Sequence, residues 1–261
     1  MLIVGVLLSF SMLSCRRTVT SPPPAQPAQP LSTPDSLSKT PPTPELDLPP
    51  KTPSTSAEEK VRAAQYRQLG LDYRGQGRYA EAIASLEDAV ELDPQNLSGQ
   101  VILGWTLHLN GQAEHALDVL QQALLQDESY VPALNALGIV YLVDGQLENA
   151  VETHTQAVTL EPDNEVGYYN LSLAYQRLGN YESAIANAQQ AAGLEPSNPH
   201  PLVALAVAHW NHQDPTTAKQ IYQQAIDLEP RYREAWFLDH LQQAGFSPEQ
   251  IQVTDVIRQT Q

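Results

Sequence analysis

The chain has 261 residues, 42% of them hydrophobic, enough for a sizeable core, yet 21 prolines against 13 glycines show that part of it is not globular. Its formal charge of −16 is uneven: residues 1–60 balance five Lys/Arg against five acids, so the excess lies in 61–261, where 25 acids face nine bases. No Lys or Arg stands between Arg78 and Arg177, a span with fifteen Asp/Glu; that field repels phosphate and excludes nucleic acid as a partner.

The acidity itself reads as a solvated, aggregation-resistant surface, with attraction to a basic partner as the sharper alternative. One cysteine, Cys15, rules out an intrachain disulfide, a CxxC redox pair and a cysteine-rich zinc site.

The first element is "MLIVGVLLSFSMLSC". Residues 2–13 form an apolar run too short for the roughly 20 residues that span a bilayer but of the length of a secretory h-region. It ends in Met12-Leu13-Ser14-Cys15, which resembles the lipobox of bacterial lipoproteins, where a small residue precedes the cysteine that is acylated. The resemblance implies a signal peptide over 1–14, lipidation of Cys15, and a membrane-anchored protein of the bacterial cell envelope facing the periplasm or exterior. Leu13 departs from the usual small residue, no base precedes the run, and Arg16 and Arg17 follow it. Since positive charge favours the cytoplasmic side, an uncleaved anchor or an upstream start is the competing reading.

Residues 15–56 then form a spacer. The stretch from Ser21 to Ser56 carries twelve prolines and no aromatic residue, so it cannot bury enough apolar surface to fold. Extended polyproline-like backbone at about 3 Å per residue would let it reach on the order of 100 Å. A disordered tether is the expectation.

Beyond it a phrase recurs: "AVELDPQN", "AVTLEPDN", "AAGLEPSN", "AIDLEPRY". Pro94, Pro162, Pro196 and Pro230 are 68, 34 and 34 residues apart, and Glu128 holds the missing beat. A fixed period in this range means stacked supersecondary units. The first reads Tyr66, Leu69, Gly70, Tyr73, Gly77, Ala82, Leu86, Ala89 and Pro94; the third reads Leu134, Leu137, Gly138, Tyr141, Gly145, Ala150, His154, Ala157 and Pro162. The pattern resembles the tetratricopeptide repeat family in five units: 63–96, 97–130, 131–164, 165–198 and 199–232. The resemblance implies an all-α fold, a right-handed superhelical α-solenoid of helix-turn-helix repeats. The fourth unit has Ser172 for the glycine, and the fifth has Ala206 and His209 where Gly and Tyr are expected.

Helix pairs that cross closely need small residues: Gly70, Gly104 and Gly138 on first helices, and Ala82, Ala116, Ala150, Ala184 and Ala218 on second helices. Gly77, Gly111, Gly145 and Gly179 end first helices where a left-handed residue is wanted. The fifth unit turns instead with Asp214 as N-cap and Pro215 at N1. Each terminal proline stops a second helix, and Asn96, Asn164 and Asn198 then stand as N-caps. Ser56-Ala57-Glu58-Glu59 reads as a capping box opening the array. At the other end 233–261 reads as a cap: a helix in "REAWFLDHLQQAG", then a last helix after Ser247-Pro248-Glu249-Gln250.

The resemblance also implies that first helices line a concave groove at the second, fifth, ninth and twelfth positions of each unit. These give Arg67, Leu71 and Arg74; Val101, Trp105 and His108; Asn135, Ile139 and Leu142; Tyr169, Leu173 and Gln176; Val203, Val207 and Trp210. Such an apolar strip suits a helix or extended peptide, with Trp105, Tyr169 and Trp210 as anchors. For Leu71, Ile139 and Val207, packing against a neighbouring helix is an equal alternative. The chaperone-tail clamp of some family members is absent, because Leu71, Val101, Ile102 and Trp105 follow Arg67. An asparagine ladder is also missing, with only Asn135 and Asn170 nearby.

Catalysis is not expected. There is no glycine-rich phosphate loop, no G-x-S-x-G and no base beside a positioned nucleophile. His209 and His212 lie three apart on one helix without an acidic or cysteine partner on their face, and His108 and His115 flank a turn. No metal, cofactor or small-molecule substrate is expected. The partner is a protein or peptide, with membrane contact through the N-terminal lipid. A fixed structural subunit of a pilus, secretion or outer-membrane assembly complex is the alternative to a tethered scaffold.

Overall fold

A computed structural model describes residues 56–261. Cys15 and the Pro-rich segment lie outside the described residues, apart from Ser56. Ten α-helices form five antiparallel pairs: α1 (Ser56–Gly75) with α2 (Tyr79–Leu92), α3 (Leu97–Leu109) with α4 (Ala113–Gln126), α5 (Val131–Asp144) with α6 (Leu147–Leu160), α7 (Glu165–Arg177) with α8 (Tyr181–Leu194), and α9 (Pro199–Asn211) with α10 (Pro215–Leu228). A tail follows, made of 3-10 turns at Pro230–Arg233 and Ala235–Gln242 and a last helix, α11 (Pro248–Arg258).

The pair crossings are as close as the small residues demand. A Cβ on Gly70 would stand 2.6 Å from Leu86 Cγ, on Gly104 2.6 Å from Leu120 Cγ, and on Gly138 2.5 Å from His154 Nε2. In the fourth unit Ser172 is fully buried, and Ala188 stands where Leu86 and Leu120 stand in theirs, so a larger residue on one helix accompanies a smaller one on its mate. The turn glycines Gly77, Gly111, Gly145 and Gly179 have φ between 75° and 84°. In the fifth unit Gln213 takes that left-handed conformation at φ 64°, ahead of the Asp214 cap. Asn96 Oδ1 accepts from Gly99 N–H and Asn164 Oδ1 from Gly167 N–H, closing the start of the following helix.

First helices pack on one another in series, α3 on α5, α5 on α7 and α7 on α9. That closer spacing puts them on the inner side of the stack. The tail differs from the expected added layer. Residues 235–242 form a 3-10 segment rather than an α-helix, and α11 packs on α9 as well as on α10, with Phe246, Leu238, Leu241 and Ile257 inside the core cluster of the third to fifth pairs.

Candidate functional site: the concave face

The tail crosses the C-terminal half of the inner face. Gly245, at φ +87°, brings the backbone beside Leu173, Leu142 and Asn170, and Phe246 follows it into the core at 3% exposure. The Tyr169 hydroxyl donates to the Ala244 carbonyl at 2.6 Å, and the Tyr169 and Phe246 rings lie 6.3 Å apart. Burial pushes the Tyr169 phenol well above its ordinary pKa. Ser247 and Gln250 form a capping box at the start of α11. Gln250 Nε2 also donates to the Leu173 carbonyl (3.3 Å) and to Gln176 Oε1 (3.1 Å), and Gln176 Nε2 donates to the Ala204 carbonyl (2.8 Å).

Residues expected to line an open groove therefore divide. Leu142, Leu173, Val203 and Val207 are buried in the cluster the tail completes, Gln176 is a buried tie between helices, and Tyr169 holds the tail. Trp210 is half-buried against the same cluster. Val101 is buried, packed into the core of the second and third pairs. The physical reason is one of competition: an apolar strip with a tethered apolar tail beside it is covered by that tail, because local concentration favours the intramolecular contact.

The N-terminal half has no such cover among the described residues. Arg67, Leu71 and Arg74 on α1, Trp105 and His108 on α3, and Asn135 and Ile139 on α5 are all half-buried. Trp105 and His108 stack with centroids 5.2 Å apart, and burial holds the His108 imidazole below its usual pKa, favouring the neutral ring. Arg67 faces Asp93 at 3.7 Å. Burial lowers the Arg74 guanidinium from its ordinary value. Asn135 exchanges amide hydrogen bonds with Asn164 at 3.0 and 3.3 Å, so it ties two repeats together as well as facing the groove.

Contrary to the expectation from sequence, His209 has an acidic neighbour, and His212 stands just past the end of α9. His209 Nδ1 lies 3.6 Å from Asp214 Oδ2, and His212 packs beside the Tyr181 ring. The tail's path over the inner face goes beyond the cap expected of 233–261, although "AGFSPEQ" carries a visible signal: an apolar residue just before an N-cap, which staples chain to helix.

Tetratricopeptide repeat family models match residues 67–132 and 203–238, 133–166, and 167–198. The chain belongs to the tetratricopeptide repeat family. Similar solved structures include MamA (21% identity, covering 65% of this chain and 92% of that one, TM-score 0.56) and residues 41 to the end of MamA from Desulfovibrio magneticus (23%, 64% and 95%, 0.58). A thermophilic tetratricopeptide repeat protein of Thermus thermophilus is also similar (24%, 65% and 92%, 0.55). At these identities the likeness establishes the tetratricopeptide fold alone. No curated protein matches the sequence. Proteins built from such repeats serve in general as protein–protein interaction scaffolds, and that general role applies to this chain.

Proposed function

We propose that this protein is a non-catalytic, membrane-tethered scaffold that captures a peptide or helix of a partner protein on the N-terminal half of its concave face. The observation that supports this reading is the split of that face. The tail fills the part formed by α7 and α9, whereas Leu71, Trp105, His108 and Ile139 keep exposed surface next to Arg67 and Arg74. Half-buried aromatic and aliphatic groups on rigid helices lose little conformational entropy on binding, and they carry most of the energy in peptide grooves. Lipidation at Cys15 and the Pro-rich spacer supply the tether in this reading, with the array displayed on the periplasmic or outer side of a bacterial membrane.

The test replaces Trp105 by Ala and places a photocrosslinking residue at Ile139. Trp105→Ala is expected to abolish partner recovery while circular dichroism stays unchanged, and crosslinks from 139 are expected to trap one partner segment. Undiminished recovery with the Trp105 variant would remove the groove from the account. For the tether, mass spectrometry is expected to find a mature chain beginning at diacylated Cys15; an intact Met1 would refute it.

A further inference from the structure

Where the tail meets the fifth repeat, two imidazoles confront each other. His200 lies in the first turn of α9 and His240 in the tail, with their Nε2 atoms 3.3 Å apart. The identity of the proton-bearing nitrogens follows from their other neighbours. Asn198 Oδ1 accepts from the His200 backbone N–H at 3.1 Å, while Asn198 Nδ2 points to Glu165 Oε1 at 3.4 Å, so the atom facing His200 Nδ1 at 3.0 Å is an acceptor oxygen. His240 Nδ1 faces the Phe237 carbonyl oxygen. Both Nδ1 atoms therefore donate, and a neutral imidazole carries one proton. Both Nε2 atoms then carry lone pairs aimed at one another, and the Tyr232 hydroxyl donates to that of His240.

Opposed lone pairs call for a shared cation. Around tetrahedral zinc, with Zn–N bonds of about 2.0–2.1 Å, adjacent nitrogens stand about 3.3–3.4 Å apart. The Nδ1–H donations to an amide and a backbone oxygen are the outer-shell contacts that fix metal-ligating histidines in this tautomer. A third donor is at hand, since the Tyr232 hydroxyl lies 3.2 Å from His240 Nε2. Among the described residues no three His, Cys, Asp or Glu side chains gather into a metal site; here the third protein donor is a phenol.

We propose that His200 Nε2, His240 Nε2 and Tyr232 Oη form a site for one divalent transition cation of the zinc class, with water completing the coordination. Binding breaks the Tyr232 O–H bond, forms the metal–oxygen bond and releases that proton to solvent. Burial pushes the phenol's pKa up, and the metal's own charge opposes that shift. The charged groups around the pair are Glu229 and Arg231 beside His240, and Glu165, held by Asn198, behind His200. Since His200 belongs to α9 and the other two donors to the tail, the cation clamps the tail over the inner face.

The test titrates the full chain with zinc sulfate at neutral pH. One site per chain is expected, with slower amide exchange across 235–246 on loading. His200→Gln or His240→Gln should weaken binding at least about tenfold, Tyr232→Phe should weaken it and abolish the proton release, and the double variant His209→Gln/His212→Gln should bind as the parent does. No binding at millimolar zinc, or equal binding by the His200 and His240 variants, overturns the proposal. Should those variants fail to fold, imidazole nitrogen NMR of the parent decides: both Nε2 resonances must be unprotonated and move together with zinc. A proton on either Nε2, or a pair that answers to acid alone, overturns the site as well.

Discussion

The two halves of the concave face use the same helix positions and the same residue types, and they differ in what the chain lays across them. On α1, α3 and α5 the face stays half-open among the described residues, with Trp105 beside His108. On α7 and α9 it becomes the floor of a core completed by Leu238, Leu241, Phe246 and Ile257. Apolar lining by itself thus does not make a binding surface: the strip on α7 and α9 is satisfied in cis by the tail, while the strip on α1, α3 and α5 keeps exposed surface among the described residues. Energetically the tail is part of the fold, since several of its apolar side chains are almost fully buried and each such burial contributes about 1.5–3 kcal/mol.

Truncating one anchor in each half should show the largest contrast. Phe246→Ala is expected to cost about 3–5 kcal/mol of unfolding free energy in chemical denaturation, whereas Trp105→Ala should cost well under half as much and act on partner capture instead. Equal losses from the two would erase the distinction between floor and groove.

Between the halves lies a weak point. His154 fills the place that Leu86 and Leu120 fill in their units and is fully buried, and its ring nitrogens make no well-formed hydrogen bond, with the Gly138 backbone as a weak polar neighbour. Burial holds its pKa down, from 6.5 to about 3. Because the folded form resists protonation, its contribution is intact above pH 6.5 and is lost as pH falls from there toward 3. His154→Leu, which copies the Leu86 fit against Gly70, should raise stability by about 1–3 kcal/mol at neutral pH and flatten the acid limb of the stability profile. A variant that is less stable than the parent, or one with an unchanged acid limb, would show that the ring is compensated in a way this packing does not reveal.

A smaller effect of opposite sign belongs to the tail-covered half. Glu165 is pushed up to about 7, first by burial and then by Glu195. Its folded pKa is raised, so its contribution is fully present below pH 4.5 and is lost as pH rises through 7. Glu165→Gln should therefore raise the melting temperature modestly at pH 8 and leave it nearly unchanged at pH 4. A gain that is the same at both pH values would point to packing rather than charge.

Much of this architecture is legible along the chain. The 34-residue beat, the crossing glycines, the turn glycines and the asparagine caps are local requirements, each met by a residue type at a fixed offset, and Gly70, Gly77 and Asn96 sit where those requirements place them. The groove positions on the first helices are legible for the same reason. Their fate is not, as Tyr169 shows: its offset matches that of Trp105, but its hydroxyl is committed to Ala244, 75 residues away. The 3-10 form of 235–242 is equally hidden, because its pattern is helical and only its lie against the repeats sets the tighter winding.

The sequence by itself determined the repeating helix pairs, because backbone capping and close crossing depend on neighbours within one period. Only the tertiary structure decided which stretch of the inner face remains open and which pairs His200 with His240 across the tail. Such contacts join residues 40 or more positions apart, and their energy comes from shape and burial, which no local pattern encodes.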